Sequence, residues 1–332
     1  MDNIYKFDDG RASFTRATGT ETAWHKLGGE TPANAPIETW QINAGMNYTV
    51  ERGNVIIRSD RGDIEVPNKS GFFRSDTGAP LSVMGNRYQV HQPREILEFF
   101  RDISSEANFT LDTAGVLGNG STYWALASNG NSQNVGTALQ PDRIKPYLLL
   151  ATACDGSMAT TASFTTVRVV CQNTLNISLS RDKSDTVKIR HSSTFDGAHI
   201  RAQLGLSSHN FDQFYDAVDN LASTRLTDSD FMHRFLLPVL DIESVALSDL
   251  EKDRKQTYDK VFSIADLYVK SGKGSTLTSA KNTAWGAVNA VTEYVDHMQR
   301  GHSENNRVNS MLFGAGDKLK SKAFQQALDL VA

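Results

Sequence analysis

The chain has 332 residues, 39% hydrophobic and 22% charged, which is enough to bury a substantial core and excludes wholesale disorder. With 34 basic and 38 acidic residues the formal net charge is -4, so the molecule as a whole does not attract polyanions and any such binding needs a local basic stripe. The longest apolar runs, Tyr147 to Ala151 and Phe235 to Leu240, are far below the roughly 20 residues of a membrane span, and the acidic start MDNIYKFDDG lacks an apolar signal core, so a cytoplasmic protein without membrane contact is expected.

In chain order, residues 1–44 carry scattered Gly and Pro between Trp24 and Trp40, and predict irregular chain followed by a short helix from about Pro36. Tyr48 to Ile57 reads as two strands about a turn at Arg52-Gly53-Asn54, then a loop rich in Gly, Ser and Asp through Gly85 and a brief strand at Tyr88 and Val90. Pro93 opens the clearest helix of this half, with Ile96, Leu97, Phe100 and Ile103 at helical spacing. Thr110 to Leu117 and Thr122 to Ala127 predict a hairpin about Gly118-Asn119-Gly120, which removes that glycine pair from consideration as a dinucleotide loop. A second, central hairpin runs from Tyr147 through the Asp155-Gly156 turn to Cys171, and Gln172, Asn173 and Thr174 then suit a helix start or a ligand-facing loop.

From Ser207 the period becomes helical. Helices are predicted over Phe211 to Leu221, from Thr227 to Leu236, from Ser248 to Tyr268 with Gly272 and Gly274 breaking it, from Ser279 to Met298, and from Asp317 to Ala332. The order predicts an α+β fold: a β-rich N-terminal half with antiparallel hairpins and one packed helix, then a mostly helical C-terminal half. Domains are placed at 1–205 and 206–332.

The run Val167 to Leu175, VRVVCQNTL, resembles the signature of a phage and plasmid-like protein family, domain of unknown function 932. Ala23 to Gly28, Asn86 to Val90, Thr113 to Gly120 and Thr283 to His297 agree with it in order along nearly the whole chain. The resemblance implies a phage or mobile-element setting and no particular activity.

Alternation puts Arg168 on one face with Phe164, Thr166 and Val170, where its five donors need a carboxylate, carbonyls or an anionic ligand. The junction supplies Arg181, Lys183, Lys188, Arg190 and Arg201, with Lys188 and Arg190 on the strand face opposite Val187, Ile189 and His191. Such a pair either protects a strand edge or holds phosphates. Lys270 to Thr276 imitates a phosphate loop but lacks its first glycine and the hydroxyl after Lys273, so phosphate contact is open and nucleotide hydrolysis is not expected. Glu293 and His297 stand one turn apart with Asp296 between them, as metal ligands or as polar packing. Cys154 and Cys171 have no zinc spacing and are expected as buried thiols.

No catalytic set emerges and no cofactor is expected. The leading expectation is binding of single-stranded DNA or RNA by a homo-oligomer, in the manner of the ring-forming annealing proteins of phages. Arg168, Arg181, Lys188, Arg190, Arg201 and Lys273 would track the backbone, and Tyr123 and Trp124 would stack on bases. The alternatives are a host-takeover or anti-defence factor that binds a protein, and a metal-dependent nuclease using Glu293, Asp296 and His297.

Overall fold

Two strands with both faces buried, β9 (Asp142–Ala153) and β10 (Thr160–Arg168), form an antiparallel hairpin at the centre of a nine-stranded sheet. The computed structural model describes residues 14–19, 29–107, 109–128, 130–137, 139–168, 170, 173–176, 186–204, 209–242, 255–299 and 304–331. Outward from β9, the sheet adds β7 (Thr122–Ser128), β6 (Thr110–Leu117), β1 (Phe14–Ala17) and β2 (Gly29–Thr31), the last pair parallel and the rest antiparallel. The short β8 (Gln133–Val135) pairs with the start of β9. On the other side, β10 is shared by two strands end to end. β12 (Thr186–Ile189) covers Thr160 to Ser163, and β11 (Asn173–Asn176) covers Thr165 to Arg168. The stretch after Arg168, expected as a helix start or a ligand-facing loop, is a strand from Asn173, because Asn173 and Thr174 find ladder partners on β10.

A separate three-stranded sheet contains β3 (Val50–Ser59), β4 (Gly62–Arg74) and β5 (Pro80–Gly85). Here the sequence reading is corrected. The turn is not at Arg52-Gly53-Asn54 but at Asp60-Arg61, with Ser59 opposite Gly62, and the stretch expected as loop is two more strands. The positive φ of 107° at Gly62 is what lets the ribbon reverse there. The outer half of this ribbon stands in solvent, exposing Ile56, Ile57 and Ile64. Tyr88 and Val90 form no strand.

Helices cover both faces of the large sheet, which is why Tyr147 to Ala151 reads as an unbroken apolar run instead of an alternating one. On one face Tyr123, Ala125, Leu148, Leu150 and Phe164 meet α2 (Pro93–Ala107) and the helical half. Into this core also pack α1 (Ile37–Asn43), α3 (Gly197–Leu204) and α4 (His209–Ser223). So do α5 (Asp230–Leu236, continuing over Leu237–Val239), α6 (Lys255–Asp266, continuing over Leu267–Ser271) and α7 (Ala284–Glu293, continuing over Tyr294–Met298). On the opposite face Trp124, Leu126, Tyr147, Leu149 and Val167 meet Val295 of α7 and Val308, Met311 and Leu312 of α8 (Glu304–Phe313). The last helix, α9 (Ala315–Val331), packs against α7 and β11. The fold is thus α+β, with a β-rich first half and a helical second half. The apolar core runs through both, for example where Phe164 meets Phe211 edge-on at 4.8 Å. Among the described residues no helix is long and apolar enough to cross a membrane.

Candidate functional site

The arginine flagged by alternation is a lock between the halves. Arg168 Nε donates to Asp142 Oδ1 and Oδ2 at 2.7 and 2.9 Å, and its Nη1 and Nη2 donate to the carbonyls of Lys273 and Gly274 at 3.2 and 3.3 Å. Asp142, fully buried, also accepts from Ser279 Oγ at 2.9 Å and Trp285 Nε1 at 3.2 Å. A guanidinium 3% exposed and bound in this way holds the loop before α7 against β10 and does not face a ligand. The same loop is tied from its other side, where the backbone N–H of Lys273 donates to both carboxylate oxygens of Glu293 at 3.1 and 3.0 Å. Its resemblance to a phosphate loop ends there, since the Lys273 N–H is already bonded within the fold. The Lys273 side chain itself is exposed.

The metal reading of α7 meets a similar answer. Glu293 is occupied by Lys273, and burial raises its carboxyl above the ordinary range against the pull of that N–H. Asp296 pairs with Lys320 Nζ at 2.8 Å, both side chains 1% exposed. Among the described residues no three His, Cys, Asp or Glu side chains converge as metal ligands. Tyr123 and Trp124, expected as stacking platforms, are 0% and 1% exposed. Neighbours on a strand point to opposite faces, and here each face is covered, so neither ring is available to a base.

The basic stripe divides. Arg181 lies outside the described residues. Lys188 on β12 and Arg190 just past its end are exposed, as alternation requires, while Val187, Ile189 and His191 turn inward. Arg201, on α3, instead lines a 230 Å³ pocket with Glu95, Glu98 and Asp102, so carboxylates surround it. Lys273 sits by Arg168, whereas Lys188 is opposite Thr161. These positions are seven residues apart on β10, about 23 Å at 3.3 Å per residue.

What the fold does assemble is a wide, open cleft of about 1070 Å³ between the β4–β5 sheet and the β9–β10 turn. Arg87 and Arg190 are its cations, Asn68 and Asn86 its amides, and Met84, Met158 and Tyr88 its apolar wall; among the described residues no carboxylate lines it. Arg52 buttresses the rim, donating to Ser70 Oγ at 2.7 Å and to the Asn86 carbonyl at 3.0 Å. The floor carries polar and aromatic groups bonded to one another. Tyr88 stacks on His191 with centroids 4.6 Å apart and donates to the Ala153 carbonyl at 2.9 Å. His191 in turn lies 4.6 Å from His91. Burial lowers the proton affinity of both imidazoles, with each ring's backbone carbonyl partner opposing it.

Sequence reading missed Arg87 as a ligand group. It adjoins no other cation in sequence, and only folding sets it across from Arg190. A signal was present, because Asn86 to Val90 is one of the stretches that carries the family resemblance. A family model, Domain of unknown function (DUF932), matches residues 80–315, more than half of the chain. The chain belongs to the DUF932 family. No curated protein and no solved structure matches it. The DUF932 region begins at the first residue of β5 and contains every cleft residue named above except Asn68.

Proposed function

We propose that this DUF932 protein binds single-stranded nucleic acid, DNA or RNA, along the cleft between the β4–β5 sheet and the β9–β10 turn. The observation that carries the reading is a cleft of about 1070 Å³ whose lining, among the described residues, holds two arginines and no carboxylate, with Asp155 next to the lining residue Gly156, on a chain whose net charge is -4. An acidic protein concentrates cations in one concavity at an electrostatic cost, and the ligand that repays it is anionic. The volume is at the top of the range for small-molecule pockets and the site is open to solvent, which suits a flexible polymer. Arg87 and Arg190 contact phosphates, and Lys188 extends the track along β12. The amides of Asn68 and Asn86 offer both donors and acceptors to base edges or sugars. In this reading the protein acts in the cytoplasm for a phage or mobile element, as a homo-oligomer that annealing would require.

Fluorescence anisotropy with a labelled oligonucleotide tests it at two salt concentrations. Arg87→Ala with Arg190→Ala weakens binding and lowers the salt slope by about 1.4, two contacts at about 0.7 each for a single strand. No binding at low salt removes the proposal.

A second reading, attachment to a protein, has one observation of its own: Ile56, Ile57 and Ile64 on the free end of the β3–β4 ribbon are each more than half exposed. A stoichiometric protein partner lost on Ile57→Lys, with no oligonucleotide binding, favours that reading over the first.

A further inference from the structure

Beneath the cleft, six groups stand in a row joined by five short contacts. The Ser193 carbonyl meets His91 Nε2 at 2.9 Å, and His91 Nδ1 meets Thr160 Oγ1 at 2.5 Å. Thr160 Oγ1 donates to Thr152 Oγ1 at 2.6 Å, Thr152 Oγ1 meets His191 Nε2 at 3.3 Å, and His191 Nδ1 meets the Gln89 carbonyl at 2.8 Å. The carbonyls at the two ends only accept. All five contacts therefore need hydrogens from the four groups between them, and two hydroxyls with two neutral imidazoles bring four. With both rings neutral, one contact has to set lone pair against lone pair in a buried site. One added proton completes all five bonds. A second leaves a hydroxyl hydrogen without an acceptor in the row.

We propose that His91, Thr160, Thr152 and His191 form a proton-binding site that holds one proton in common, and that this charge moves between the two rings. With the charge on His91, Thr160 donates to Thr152 and Thr152 to His191. With the charge on His191, both hydroxyls turn and Thr160 donates to His91. The structure holds the first arrangement, with Thr160 donating to Thr152, and the second needs Thr152 to turn toward Thr160. The second arrangement is favoured by the Met158 carbonyl, 3.2 Å from His191 Nε2, and it puts the charge on the ring that lines the cleft. The groups facing the row are few. Tyr88, Tyr123 and Cys154 are held protonated by burial, and Tyr123 donates to the His91 carbonyl. Asp155 favours charge on His191, His91 opposes it, and Glu95, itself raised by burial, acts on Tyr123; Arg190, next to His191 in the chain, is exposed. An anion in the cleft draws the shared proton to His191. That last step rests on the nucleic-acid reading; the proton site does not.

The test is ring ¹⁵N NMR of the full chain from about pH 8 to about pH 5, spanning the ordinary histidine range. His91 and His191 are expected to take up one proton between them, both resonances moving with a single midpoint. Thr160→Val cuts the row and separates the two titrations, and Thr160→Ser, which keeps a hydroxyl, restores the common one. Two rings that stay neutral until the protein unfolds, or that each take a full proton, overturn the proposal. Anisotropy with labelled oligo(dT) then separates it from the reading it deepens. Affinity rises on acidification along the shared midpoint in the native chain and along the separate midpoint of His191 in Thr160→Val, and each tenfold gain matches an upward displacement of that midpoint by about one pH unit. A shared titration without oligo(dT) binding leaves the proton site standing and removes the nucleic-acid function; binding without shared titration does the reverse.

Discussion

Replacing Arg168 by methionine keeps the bulk of the side chain and removes its charge. Asp142, fully buried, then loses two of its four hydrogen bonds and retains only those from Ser279 and Trp285. The Lys273 and Gly274 carbonyls lose their donors as well. An uncompensated buried carboxylate costs about 3–5 kcal/mol, a large share of the 5–15 kcal/mol that holds a typical domain together. Removing one neutral donor, by Ser279→Ala or Trp285→Phe, costs less, about 1.5–3 kcal/mol for a bond to a charged group. Arg168→Met with Asp142→Leu leaves no buried charge unpaired and recovers part of the loss, the remainder being the Ser279 and Trp285 donors and the two loop carbonyls that lose these partners. Urea titration followed by far-UV circular dichroism reads these differences as midpoint shifts at constant slope. A cost below about 1 kcal/mol for Arg168→Met, or a double variant as unstable as the sum of the singles, refutes the reasoning and means that water reaches Asp142.

Gly286, near the start of α7, packs so closely that an added Cβ would stand 1.8 Å from the Ala280 carbonyl, so Gly286→Ala should cost about 3 kcal/mol or more, whereas Gly85→Ala, with open space around it, should stay within about 0.5 kcal/mol in the same urea titration. Burial pushes the Cys154 thiol up to about 12, so in a Cys171→Ser background a thiol reagent at mild alkaline pH should label the unfolded chain and spare the folded one. Glu293 binds its proton more tightly in the fold than in the unfolded chain, so its contribution to stability is complete below about pH 4.3 and is lost as pH rises through its raised value. Glu293→Gln keeps an acceptor for the Lys273 N–H, and is expected to leave stability at neutral pH equal or higher and to flatten its fall between acid and neutral conditions.

Local chemistry was enough to mark most elements. Pro93 and the spacing of Ile96, Leu97, Phe100 and Ile103 fix α2 before any tertiary contact is known, and the β6–β7 hairpin follows from its glycine turn. Alternation along β12 and just past its end correctly turns Lys188 and Arg190 outward, because a strand has only two faces and Val187 and Ile189 claim the buried one. It also marks Arg168 as an arginine in need of partners. What a strand pattern does not contain is what lies above each face. Tyr123 and Trp124 look like a pair of surface rings until helices on both sides of the sheet bury them. Arg168 looks like a ligand group until Asp142, 26 residues earlier, and a loop 105 residues later close around it. The cleft is the extreme case, since Arg87 and Arg190 come from segments about a hundred residues apart. Periodicity is a property of neighbours along the chain and so is written in the sequence. The placing of Arg87 and Arg190 on one cleft, and the meeting of His91 with His191, are properties of the sheet order, which arises only when the whole core condenses.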